Sequence, residues 1–171
     1  MTITSQVPAV TDYLVAAAEA SPVLGGASPQ VYVFDGPQAS GALSGVERAL
    51  WFGWNPASAG EPAATADQDF AFIDSGRTRD EDGVIDCTAQ HWSGDSTIQI
   101  HRDGCAAIVA GVELLLRGTP AAGGPGDASM GGLVLWSGVS GPFEWYPAQV
   151  PNGAQVRCVF RISYRARLTT G

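Results

Sequence analysis

Cys87, His91, His101 and Cys105 are the residues whose types and spacing could do chemistry in this chain. His101 and Cys105 stand one helical turn apart, and imidazole with thiolate is a ligand set that suits zinc. The same residues could form a Cys-His nucleophilic pair. Neither reading is built up further by the sequence. Cys87 and His91 fall on a strand and His101 and Cys105 on a helix, and no spacing brings all four to one point. No CxxC pair, nucleophile elbow or short cysteine-hydrolase signature is present. The third cysteine, Cys158, also occupies an apolar position, so the plainer reading of all three is small buried side chains in a reducing compartment. The chain has nine Arg and no Lys, which removes a P-loop lysine and a Schiff-base lysine together. No catalytic residue, cofactor or metal is expected.

A second set of side chains could act through charge. Arg157, Arg161, Arg165 and Arg167 alternate with Val156, Cys158, Phe160, Ile162, Tyr164, Ala166 and Leu168, a period of two that a helix would scatter around its circumference. Four guanidiniums on one face of a strand are either a solvated sheet surface or one side of an interface, because arginine makes planar, bidentate pairs with carboxylates. Asp80, Glu81 and Asp82 of a neighbouring copy are the matching acids. Trp51 and Trp54 join them as interface candidates, since aromatic residues are enriched in interface cores. The competing use of tryptophan is a β-rich binding module with Trp51, Trp54 and Trp145 as a ligand platform.

The elements that would position these residues follow from periodicity. Residues 8–20 read as a helix of about three turns, with Val10, Tyr13, Leu14, Ala17 and Ala18 at helical spacing. Residues 31–34 are a short strand. The run at 49–54 does not alternate, so both of its faces are covered, by the domain or by another chain. Residues 55–67 read as loop. Residues 69–75 and 84–92 form a hairpin whose charged tip, 76–83, projects into solvent or toward a partner. Ser96 and Gln99 match a capping box, opening a helix of about six turns striped by Ile98, Cys105, Ile108, Val109, Val112, Leu115 and Leu116 and stopped by Gly118 and Pro120. After a low-complexity loop at 118–132, strands at 132–139 and 142–150 lead through a tight turn at Pro151-Asn152-Gly153 into the arginine-striped strand. The fold class is α+β: a mostly antiparallel sheet with an N-terminal helix and one long central helix packed on it, in a single domain over 1–171 with flexible loops near 55–67 and 118–132.

Composition sets the outer bounds. The net charge is −8, and a chain of this sign gains nothing from displacing the counterions of a phosphate backbone, so sequence-specific nucleic-acid binding is not expected. No stretch approaches the ~20 apolar residues that span a bilayer, and the N-terminus lacks a signal-peptide pattern. The chain is expected in the cytoplasm where it is made, with no membrane partner.

Taken in order, the N-terminal helix, the short strands, the charged hairpin, the segment WSGDSTIQIHRDGCAAIVAGVELLLRG and the meander ending in RISYRARL resemble the tail terminator proteins of long-tailed, siphovirus-type bacteriophages. Gly94, Asp95, Arg102, Ala106 and the 112–115 end of the helix stand where that family has its Gly-Asp turn, early arginine and small residues. The resemblance covers residues 9–168. It implies a structural virion protein at the head-proximal end of the tail: a homo-hexameric ring that caps the tail tube, ends its polymerisation and presents a docking surface to the head–tail connector or stopper protein. DNA would cross the pore without specific binding. A head-completion or connector protein is the alternative within the same virion.

Overall fold

The arginine-striped segment forms the longest strand. In the computed structural model, which describes residues 4–38, 45–58, 60–71, 78–117 and 126–169, it runs over Gly153–Thr169. Val156, Cys158, Phe160, Ile162, Tyr164, Ala166 and Leu168 are all buried, and Arg161, Arg165 and Arg167 are exposed. Strict alternation has fixed which face meets the core.

In chain order the elements are α1 (Val7–Ala20), β1 (Tyr32–Asp35), β2 (Arg48–Phe52), β3 (Ala64–Ala71), β4 (Thr78–Ser93), α2 (Ile98–Leu115), β5 (Trp136–Val150) and β6 (Gly153–Thr169). One six-stranded sheet runs β1-β2-β4-β6-β5, and β3 also pairs with β4. Every pairing is antiparallel except β1 with β2. β2 and β3 share one edge of β4, β3 covering residues 78–85 and β2 covering 87–91, with Asp86 at the junction. There the Asp86 N–H donates to the Ala63 carbonyl, and the Gly53 and Trp54 N–H groups donate to the Asp86 carbonyl.

Both helices pack on one face of this sheet. α1 contributes Val10, Leu14 and Ala18, and α2 contributes Cys105, Ile108, Val109 and Val112, to a core shared with Leu50, Phe52, Ile85, Cys87 and the inward residues of β6. At roughly 25 cal/mol per Å² of apolar surface, burial of such side chains is the main stabilising term. Among the described residues, no helix lies on the opposite face. A smaller cluster, Val46, Ala49 and Trp51 with Phe34 and Trp54 against it, covers that face over β2. The 49–54 run is therefore covered on both sides by its own chain. Among the described residues, no helix is long and apolar enough to cross a membrane.

Several sequence expectations need correction. The acids at 80–82 are not a solvated tip: they lie inside β4, paired with β6 on one side and β3 on the other. The turn itself, 72–77, falls outside the described residues. The strand at 69–75 begins earlier, at Ala64, which shortens the loop expected over 55–67, and Pro56–Ser58 is a 3-10 turn. The capping box does not form. Thr97 is the N-cap and makes no side-chain cap bond; instead Asp95 Oδ1 accepts the Thr97 N–H at 2.7 Å. α2 has 18 residues, about five turns rather than six. Of the loop expected at 118–132, residues 118–125 lie outside the described residues, whereas 126–132 is a compact turn in which Asp127 accepts from the Ser129 and Gly131 N–H groups and Met130 is fully buried. The two strands expected at 132–139 and 142–150 are one, β5, with its register shifted between Ser140 and Glu144. Pro142 lies in that irregular stretch of an edge strand, where a missing N–H breaks no ladder bond.

Candidate functional site

The helix-free face carries the expected arginine stripe, and the register of β4 with β6 decides what it meets. Asp80 stands opposite Arg167, Asp82 opposite Arg165, Asp86 opposite Arg161 and Gln90 opposite Arg157. Arg167 Nε and Nη2 donate to the two carboxylate oxygens of Asp80 at 2.8 and 3.0 Å, a bidentate pair. Arg165 reaches Asp80 at 3.4 Å and Asp82 at 3.8 Å. Arg161 Nε donates to Asp86 Oδ1 at 2.9 Å. The hydrogen bond from Arg167, ahead of its charge and of Arg165, holds the Asp80 carboxyl below the usual carboxylate range. The pairing expected between copies is thus made within one chain for Asp80 and Asp82, as cross-strand pairs of a single sheet.

Glu81 points the other way, into the core, and is completely buried. Its Oε1 accepts the Gln6 N–H at 2.9 Å and the Tyr164 hydroxyl at 2.8 Å, and its Oε2 accepts Gln68 Nε2 at 2.6 Å. A buried carboxylate is tolerated when donors surround it in this way. Glu81 therefore ties the segment before α1 to β3, β4 and β6, a structural role in place of the interface role. The hydrogen bond and burial together push the Tyr164 hydroxyl well above its ordinary value, burial being the larger cause.

Trp51 is also fully buried, stacked on Phe34 with ring centroids 5.5 Å apart and tilted against Trp54 at 4.9 Å. It cannot touch a second copy directly. Nor do Trp51, Trp54 and Trp145 share a platform, because Trp51 lies on the helix-free face of β2 whereas Trp145, opposite Cys158 on β5, lies on the helix side of the far edge. Most of the exposed large apolar residues of the sheet lie along β5, where Trp136, Phe143, Trp145 and Tyr146 are each 40–47% exposed; Tyr32 of β1 is the other, at 45%.

The histidines do converge. His91 Nδ1 and His101 Nδ1 are 3.0 Å apart, and His101 Nε2 is 2.9 Å from the Asp95 carbonyl. A carbonyl only accepts, so His101 donates from Nε2, and in the neutral ring this leaves its Nδ1 to accept from His91 Nδ1. Gly104 permits this packing, since a Cβ there would clash with Cδ2 of the His91 ring. The cysteines do not join them. Cys105 Sγ–H donates to the Val156 carbonyl at 3.0 Å, and burial pushes its thiol up to about 12; burial also holds the Cys87 thiol well above its ordinary value. Among the described residues no three His, Cys, Asp or Glu side chains are grouped so that they could hold a metal ion.

Burial first, then the Arg48 guanidinium and the neighbouring His101, lower the His91 value from 6.5; Glu47 opposes them. The folded chain therefore takes up this proton at lower pH than the unfolded chain. The stability involved is whole above pH 6.5 and declines as pH falls below it. The carboxyls held low, Asp80, Asp95 and Asp127, start from 3.8 and act only in more acid solution. Thermal unfolding followed from pH 7.5 to 5.5 should show a falling midpoint in the native chain and a flatter profile in His91→Gln.

No protein-family model and no curated protein matches the chain.

Proposed function

We propose that the chain is a ring-forming structural protein of a long-tailed bacteriophage, a tail terminator that caps the tail tube, ends its polymerisation and offers the head connector a docking surface. The observation that carries this reading is β5. It is a 15-residue edge strand, paired only with β6 among the described residues, and Trp136, Phe143, Trp145 and Tyr146 stand exposed along it. Their side chains divide between the two faces of the sheet, Trp136 and Tyr146 beside Arg165 and Arg157 and Trp145 beside Cys158 on the helix side, and exposed aromatics along a long unpaired sheet edge mark an association surface.

The opposite edge of the sheet, made of β1 and β3, exposes Tyr32 together with Asp67 and Asp69. Contact between unlike edges is heterologous, and heterologous contacts that close after a fixed rotation make a ring. The charge of −8 suits a pore that a DNA duplex crosses without being held. On this reading the tail tube protein of the same virion supplies the test. Added during tube assembly, the chain should stop elongation and leave capped tubes in electron micrographs, and Trp145→Glu should lose the effect. Tubes that grow to the same lengths with and without the chain would contradict the reading.

A further inference from the structure

The ladder between β4 and β6 breaks at one rung. Arg167, Arg165 and Arg161 all meet aspartates, but the register places Gln90 opposite Arg157. Arg157 Nε donates to Gln90 Oε1 at 2.9 Å, and its two terminal amino groups have no partner among the described residues. This half-buried guanidinium lines a pocket of about 380 Å³ whose walls include Val46, Trp92 and Pro151 and the amides of Gln90, Asn152 and Gln155. An arginine fork left open beside apolar walls and amide donors matches a planar carboxylate, which accepts two parallel N–H groups while its attached carbon lies against the apolar wall.

We propose that this pocket binds a carboxylate on Arg157, in the place that Asp80, Asp82 and Asp86 take on the other rungs. The site does not depend on the ring reading. A small carboxylic acid and an acidic side chain of a second copy both carry this group.

Sodium benzoate is the probe, titrated at constant ionic strength into the full chain while the arginine Nε–H and tryptophan indole resonances are followed. Arg157 and Trp92 should shift saturably with a Kd on the order of 1 mM, Arg161, Arg165 and Arg167 should stay in place, and benzamide should have no effect. Arg157→Gln removes the fork and should abolish binding. Gln90→Glu restores a carboxylate to the rung and should also abolish binding although Arg157 is kept; thermal unfolding checks that both variants fold. Saturation in dilute protein assigns a small acid. An Arg157 resonance that moves with protein concentration, and from which benzoate displaces the shift, assigns an acid of a second copy. An Arg157 resonance that responds to neither, or that moves in step with the other three arginines, would overturn the site.

Discussion

Glu81→Ala lowers the thermal midpoint by about 10 °C in a calorimetric scan at pH 7. The substitution removes a fully buried carboxylate that accepts from Gln6, Gln68 and Tyr164. The Gln6 N–H and the Tyr164 hydroxyl lose their acceptor at once, while Gln68 Nε2 keeps the Thr4 carbonyl at 2.6 Å. Leaving a buried donor unsatisfied costs about 1–3 kcal/mol, water can reach some of the vacated space, and the sum comes to about 3 kcal/mol. For a chain of this size each kcal/mol moves the midpoint by about 2–4 °C. Glu81→Gln keeps one acceptor oxygen and should fall between the two. A midpoint for Glu81→Ala within 2 °C of the native chain, on the same scale, would mean that Glu81 is not the tie between the N-terminal segment and the sheet.

Gly83→Ala should have an effect of similar size, by a different route. Gly83 faces Tyr164 across the β4–β6 ladder, and a Cβ at that position would overlap the phenol ring. Overpacking of this kind costs about 1–3 kcal/mol where neighbours can shift. Tyr164 has little room to shift, because it is buried and its hydroxyl is fixed on Glu81. The expected loss is therefore at the upper end, about 3 kcal/mol, read from urea unfolding as a lower midpoint with an unchanged slope. Since both substitutions act on the same ring, the double variant should lose less than the two single losses combined. Full additivity would show that the ring moves freely and that the proposed coupling is absent.

Most of the architecture was legible because it rests on hydrophobic period. β6 has an apolar residue at every second position over thirteen residues, and α1 and α2 show helical stripes, so the α+β class and the packing of a long helix on the sheet followed directly. β4 was only half read. Its first inward residues are Arg79, Glu81 and Gly83, none of them apolar, so the period that marks a strand starts only at Ile85. A signal was nevertheless present: Asp80, Asp82 and Asp86 have the same spacing, in reverse order, as Arg167, Arg165 and Arg161, which is what an antiparallel register requires. The β5 break was misread for a related reason, since Pro142 argues against a strand unless that strand lies at an edge. The histidine contact depended on the angle at which α2 leaves the turn, which is set by Asp95 and by the room at Gly104, and neither residue announces that angle in the sequence.

On the proposed reading the chain closes into a ring through its β5 sheet edge. Native mass spectrometry of the purified chain at moderate ionic strength, alone and then with the tail tube protein, tests it most directly. A hexamer is predicted, alone or on addition of the tube protein, and Phe143→Glu or Trp145→Glu should reduce it to monomer without lowering the thermal midpoint of the subunit. A dodecamer would point to a connector instead. A chain that stays monomeric under both conditions would contradict the ring.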